Sequence, residues 1–335
     1  MKKRSLQKAT IVITSLFALI ANTYAAEQTM FEKTKTYCFG RYLVNMPAEV
    51  ELKNFGNKYY ATIIELGTGR EAFKKAITEK TELLKNETWK GGFKYSSSEF
   101  DGNEDQRILI SKANLYGDIA YGIDTFKIMP SNKPGAGRYF YTSGKGYDDI
   151  RINEIISQYK LFLSQVRYRP QNEIPKEPGF CFENGFVAND GKTPQVEAAS
   201  LYFVLKNHPY VKIRISSDVY FKQYKTLLER IDESGIRKQF LNKIKTVKKG
   251  PREVNSLKGE ESLNIAPSDD ETGVIHAFVW ETLGEVGNPL LPSIHLEVNT
   301  GEAGAGQHFP STLSNQEAIA LYEAIVKTIR IRPIN

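Results

Sequence analysis

Four histidines, two cysteines and several runs of acids are the side chains of this sequence that could do chemistry. His208, His276, His295 and His308 are too far apart to put two imidazoles on one helical turn, the spacing by which a helix holds zinc. His208 precedes Pro209 in a turn-like stretch, and His276 and His295 fall in strand-like runs where a hydrogen-bonded structural imidazole is the ordinary role. His308 differs because it follows the run Gly301-Glu302-Ala303-Gly304-Ala305-Gly306. Exposed amides at a helix start attract anions, but six residues, Pro310 among them, separate Gly306 from Leu313 just before the next helix signal, so a contact loop is the better reading. Asp148-Asp149, Glu260-Glu261 and Asp269-Asp270-Glu271 are adjacent acids, and adjacency along the chain does not set two carboxylates across a substrate. A Gly-x-Ser-x-Gly elbow and a phosphate-cradling Gly-x-x-x-x-Gly-Lys-Ser/Thr loop are both missing. No catalytic residue, metal ligand or cofactor is expected, and the chain reads as a non-enzyme.

The cysteines open two matching segments. Tyr37-Cys38-Phe39 runs into Arg41-Tyr42-Leu43-Val44, and Phe180-Cys181-Phe182 runs into Gly185-Phe186-Val187. Each segment closes on a similar signature, Val166-Arg167-Tyr168-Arg169-Pro170 in the first and Ile329-Arg330-Ile331-Arg332-Pro333 in the second. An internal duplication is the simplest source of this pattern. It predicts two related domains, 26–168 and 180–335, joined by a linker at 169–179 that holds three prolines.

The elements that must carry these residues follow from periodicity. In the first half, alternation predicts strands over 39–44, 59–66, 107–113, 120–128 and 137–142. Thr68-Gly69-Arg70-Glu71 has capping-box spacing ahead of a helix over 69–86, and Ile152, Ile155, Ile156, Tyr159 and Phe162 give a second helix one apolar face. The second half repeats the order: a hairpin over 198–205 and 210–215, a helix face of Phe221, Tyr224, Leu228 and Ile231, strands over 273–282 and 293–299, and a closing helix capped by Ser314 and Glu317. It is about 20 residues longer between cysteine and closing proline, an excess most easily placed at 235–262. The class is therefore α+β, each domain a mainly antiparallel sheet with two packed helices.

Export and charge narrow the function. Lys2, Lys3, Arg4 and Lys8 precede an apolar stretch from Ala9 to Ala21, and Thr23-Tyr24-Ala25 offers a cleavage site, so 1–25 reads as a signal peptide with no lipidation cysteine beside it. The net charge of +6 falls to +2 once those four cations are removed, so no nucleic-acid partner is implied. In an oxidising compartment Cys38 and Cys181 are a candidate disulfide; two free thiols buried in separate domains are the other reading. Lys238, Lys243, Lys245, Lys248, Lys249 and Arg252 are interleaved with apolar residues, a pattern for a helix with a basic outer face. Membrane contact through that face is conceivable but not required.

Cys38-Phe39-Gly40-Arg41-Tyr42-Leu43-Val44-Asn45-Met46-Pro47, Gly179-Phe180-Cys181 with Gly185-Phe186-Val187, and the block from Leu313-Ser314 to Arg330-Ile331-Arg332-Pro333 resemble the type VI secretion immunity proteins that neutralise a phospholipase effector, the class four Tle-cognate family. The resemblance spans both halves. It implies a periplasmic inhibitor whose partner is a cognate secreted lipase and whose two domains clamp the toxin over its active-site region. Some relatives look like lipoproteins, and this chain departs from them in having no lipidation cysteine. The long loops 130–137, 284–292 and 301–310 are then the natural contacts, the last placing Glu302, His308 and Phe309 in the lipase cleft. The rival expectations are a periplasmic hydrolase using His308 and unpatterned acids, and an envelope-binding module acting through 236–252.

Overall fold

The computed structural model describes residues 33–60, 62–87, 92–99, 104–129, 137–235, 243–268, 271–301 and 309–335. The expected signal peptide, most of loop 130–137, and Glu302 and His308 lie outside the described residues. In the first half the elements are β1 (Thr34–Phe39), β2 (Tyr42–Pro47), β3 (Val50–Tyr59), β4 (Thr62–Thr68), α1 (Arg70–Lys85), β5 (Lys94–Glu99), β6 (Gln106–Leu115), β7 (Asp118–Met129), β8 (Arg138–Asp148), α2 (Ile152–Gln165) and β9 (Val166–Tyr168). The second half holds β10 (Gly179–Phe182), β11 (Gly185–Ala188), β12 (Glu197–Leu205), β13 (His208–Asp218), α3 (Leu227–Glu233), β14 (Lys245–Val254), β15 (Leu257–Pro267), β16 (Val274–Thr282), β17 (Ser293–Thr300), α4 (Asn315–Val326) and β18 (Arg330–Ile331).

One sheet of 12 strands runs through both halves in the order β14-β15-β16-β17-β13-β12-β3-β4-β8-β7-β6-β5. Its pairings are antiparallel, and the halves meet where β3 lies beside β12. Strand alternation decides which face is dry: β12 buries Ala199, Leu201, Phe203 and Leu205 on one side and turns Ser200 and Tyr202 to the other. On the dry face, α2 and α4 and the hairpins carrying the cysteines share one core that includes Tyr37, Phe162, Phe180, Trp280 and Tyr322. Among the described residues, helices lie on the opposite face toward its two ends. There α1 sets Phe73 and Leu84 on Leu109, Phe126 and Ile128, and α3 reaches Glu260 and Glu281.

Two small sheets close the structure by exchange. The tail of the first half, β9, pairs with β11 of the second, and the tail of the second half, β18, pairs with β2 of the first. Between them Gly40 and Cys181 trade backbone hydrogen bonds of 2.8 and 2.7 Å, and a disulfide joins Cys38 to Cys181 across 143 residues of chain.

The repeated Arg-x-Arg-Pro endings have a structural reason. Arg169 and Arg332 are buried and donate to backbone carbonyls, Arg169 to those of Glu173, Phe182 and Gly185 and Arg332 to those of Pro175, Glu177 and Gly179. Burial lowers both guanidinium pKa values to about 10. Arg167 adds ion pairs to Glu173 and Glu177. The segment 169–179 is thus wound around two guanidiniums rather than acting as a loose spacer.

Several expectations need correction. Helix α1 follows Gly69 with no side-chain cap, because Thr68 is still part of β4; α3 is opened by a capping box of Thr226 with Glu229, so Phe221 and Tyr224 precede α3 instead of forming its face. The described part of the basic stretch is strand β14, not helix. Asn255 and Ser256, both at positive φ, turn it back onto β15, and Lys248 and Arg252, on one side of the strand, both reach the buried Glu261 while Lys249 pairs with Asp232. Those cations are therefore spent within the protein. Part of the second half's extra length forms the loop 189–196, where the first half has only 48–49 between its matching strands.

Candidate interaction cleft

The sheet parts between β3 and β4. β3 pairs with β12 along its length but with β4 only at Lys58↔Ile63 and Tyr59↔Thr62, after which β4 turns away to pair with β8. The divergence opens a cavity of ≈ 790 Å³ lined by both halves. Its walls take the consecutive residues Phe55, Gly56, Asn57 and Lys58 of β3. The floor is shallow-sided because Gly56, Ser200 and Ser216 form one cross-strand row, and a β-carbon on Gly56 would come within 2.4 Å of the Ser200 hydroxyl.

Six charges line the cavity: Lys58, Arg138 and Arg214 with Glu65, Glu183 and Asp218. Burial pushes the Glu183 carboxyl up against the pull of Arg138, and burial raises that of Asp218 as well. Carboxylates whose ionisation is opposed in this way have more to gain from a partner's cation than a solvated one does.

The end of the cleft is braced by a buried ion pair between the halves. Arg41, in the β1–β2 turn, donates from Nε and Nη2 to Glu197 at 2.9 and 2.7 Å, and both side chains are almost fully buried. The loop 189–196 completes the node: Asn189 accepts from Arg41 and donates to the Tyr59 hydroxyl, and Gln195 donates to the same hydroxyl at 3.0 Å. The second half's additional loop thus supplies the polar groups that an arginine arriving from the first half needs.

Beside the floor, His295 lies 2.9 Å from Glu281, which is itself gripped through two hydrogen bonds by Arg230 of α3. Burial disfavours a charge on His295, yet Glu281 and Glu297 more than offset it and hold its pKa up at about 9. The imidazolium therefore contributes stability that is complete below its ordinary value of 6.5 and is lost as pH rises through about 9. On the acid side the lowered pKa values of Glu281 and Glu297 keep their share in place above 4.5, and it is lost as pH falls below that. The unfolding free energy from urea titration is expected to drop between about pH 6 and about pH 9.5 by on the order of 2 kcal/mol more in the protein than in His295→Gln. Equal drops in the two proteins would remove His295 from the explanation.

The residues singled out in the sequence are scattered. Cys38 and Cys181 are joined in a small cluster with Leu43 and Phe186. Phe309 stacks on Tyr210 with ring centroids 4.4 Å apart, at the opposite end of β13 from Asp218, and so is not brought to the cleft. His276 is buried between Thr300 and Asn315, fastening β16 to the start of α4, and His208 is held 2.7 Å from the Thr312 hydroxyl. Asp148 and Asp149 accept from the Arg151 amide and the Tyr121 hydroxyl. Among the described residues no three His, Cys, Asp or Glu side chains converge as metal ligands, and no helix is long and apolar enough to cross a membrane. Arg41 and Glu197 escape sequence reasoning because their pairing spans 156 residues, and the cleft charges because they come from separate strands and turns; only Arg41 sits in a motif.

Two family models match this architecture, the N-terminal domain of Tle cognate immunity protein 4 over residues 35–133 and its C-terminal domain over residues 173–334. The chain belongs to the Tle cognate immunity protein 4 family. Solved structures agree with this family assignment. The apo immunity protein TplEi of the type VI secretion system of Pseudomonas aeruginosa is 26% identical with a TM-score of 0.76, and the match covers 90% of this chain and 98% of that one. The structure of a Tle4–Tli4 complex matches at 25% identity and a TM-score of 0.77, with the same coverage of 90% and 98%. No curated protein matches the sequence. The Tle cognate immunity protein 4 family and these neighbours are immunity proteins, not enzymes.

Proposed function

We propose that this protein binds a cognate type VI lipase effector in the periplasm and blocks it, gripping the effector with both halves at once. The observation that carries the reading is the match of the two immunity-domain models to the two halves, together with a neighbour solved as a Tle4–Tli4 complex. The cleft suits such a role because its walls come from both halves and its charges are available to a partner. Residues 1–25 act as the export signal, and 26–168 and 180–335 as the two domains on either side of 169–179. Both halves follow one plan, with the six strands of each ordered alike outward from the β3–β12 seam and each tail lent to the other's small sheet, which supports descent from a duplicated unit. The loop 301–310, with Glu302, His308 and Phe309, is a second contact at the far end of the sheet.

Co-export with a candidate type VI lipase effector, sought first in the neighbouring reading frame, tests the reading. Cells that export the lipase with this protein are expected to survive, and the two purified chains to elute as a complex. Death at the same rate with and without the protein would sink the assignment. His308→Ala/Phe309→Ala variants that protect as well as the parent would remove the second loop from it.

A further inference from the structure

The slot between β3 and β4 is bordered by strand edges that no strand covers. The amide of Tyr60 bonds the carbonyl of Val196, so the even-numbered residues before it in β3 turn their backbone groups toward β12, and Phe55 and Asn57 turn theirs toward β4. The amide of Gly69 bonds the carbonyl of Gly137, so the odd-numbered residues of β4 face β8, and Ile64, Leu66 and Thr68 face the slot. Pairing between β3 and β4 stops at Lys58↔Ile63. Beyond it, Leu66 and Thr68 present an N–H and a C=O each, with no strand beside them among the described residues. On the other wall the Phe55 amide is taken up by the side chain of its own neighbour, Asn54, at 2.8 Å.

The fork is propped open. The turn between β10 and β11 reaches both of its arms: the Glu183 amide donates to Asn57 Oδ1 at 3.2 Å on the β3 side, and the Phe182 ring meets Phe140 of β8, centroids 5.1 Å apart, on the β4 side. The two outermost strands of the sheet carry guards against pairing with a foreign strand, Pro251 and three lysines in β14 and a register break in β5. β3 has such a break at Lys53, which lacks a counterpart on β12. Ile64–Thr68 of β4 has none of these devices: its register with β8 is unbroken, and it contains neither proline nor lysine. An edge that is straight, unguarded and held apart from its neighbour is a template for one more strand.

The chemistry of the edge selects its occupant. Leu66 and Thr68 repeat a donor and an acceptor at a spacing of about 7 Å, the two-residue repeat of an extended backbone, which no lipid headgroup reproduces. The charges lining the slot are balanced, three cations and three carboxylates, so a uniformly anionic partner is a poor match and a polypeptide of mixed sequence a good one. Access argues against a second copy of this chain, because the edge lies inside a fork closed where Tyr59 pairs with Thr62. A whole sheet cannot be laid alongside it, whereas a single protruding segment can. We propose that the effector inserts an extended segment into this slot as an added strand on the free edge of β4, with backbone hydrogen bonds supplying affinity and the lining charges selecting its side chains. The proposal rests on the reading that the cleft receives the effector.

Residue-resolved hydrogen exchange of the full mature chain, alone and with the lipase effector carrying alanine at its nucleophile serine, reads the edge directly. The amides of Leu66 and Thr68 are expected to exchange freely in the free protein and about 100-fold more slowly in the complex. Thr68→Pro deletes a slot-facing N–H, and is expected to weaken the complex about 10-fold at an unchanged melting temperature. Thr68→Val keeps that N–H and is expected to bind like the parent. If Thr68→Pro melts early, exchange in the parent decides alone. A complex in which both amides exchange as fast as before overturns the proposal, as does a well-folded Thr68→Pro with affinity within about twofold of the parent. Thr68→Val binding as weakly as Thr68→Pro overturns backbone pairing in favour of a side-chain contact. Slow exchange of the two amides in the free protein also overturns the proposal, in favour of a segment of this chain where the rate is independent of concentration and of a second copy where it is not. A parent that forms no complex on elution fails the effector-binding reading, and the proposal with it, before any exchange is measured.

Discussion

Cys38→Ala/Cys181→Ala is expected to lower the unfolding free energy by about 4 to 5 kcal/mol, the largest single effect in the molecule. The bridge closes 143 residues, and the entropy it removes from the unfolded chain grows with the logarithm of that length. Alanine rather than serine keeps hydroxyl groups out of the cluster with Leu43 and Phe186, where neither sulfur reaches solvent. Urea titration of the parent, the parent under reductant and the double variant measures the effect. Unfolding free energies of all three within about 1 kcal/mol of one another would mean that the exchanged strands alone hold the hairpins together.

The second large effect belongs to Arg41 and Glu197. Glu197→Leu leaves a guanidinium buried beside Tyr59 and Asn189 with its counter-charge gone, a change that costs about 3 to 5 kcal/mol. Arg41→Met/Glu197→Leu removes both charges, and its cost is expected to be well below the sum of the two single changes. It does not fall to zero, because Asn189 and Gln195 lose partners that the apolar pair cannot replace. The double-mutant cycle gives the coupling directly, and additive single costs would show that the two side chains do not act as a pair. Weakened lipase binding in Glu197→Leu is also expected, since the ion pair braces the end of the cleft between the halves.

What the sequence makes legible is local. The apolar face of Ile152, Ile155, Tyr159 and Phe162 is α2, and the Ser314–Glu317 box is the start of α4. Short-range periodicity and capping chemistry are enough for these. They are not enough for α1, where spacing suggested a cap but β4 had already claimed Thr68, nor for β14, where Lys248 and Arg252, at helical spacing, also share one side of a strand and find Glu261. The cleft was hidden for a further reason. It arises from a failure of pairing between β3 and β4, and its charges come from strands that meet only when the two halves join. Arg41 and Glu197 are 156 residues apart, and no pattern in either neighbourhood names the other.

The borrowed tails β9 and β18 bear on how such a molecule can exist at all. A half-length chain on this plan has a gap beside its second strand and a tail with nowhere of its own to go, so two copies would complete each other as a symmetric homodimer. That dimer would fall apart on dilution. Joined end to end by 169–179, the two halves meet at an effective concentration on the order of millimolar however dilute the surroundings. Covalent connection thus keeps both small sheets complete at any dilution.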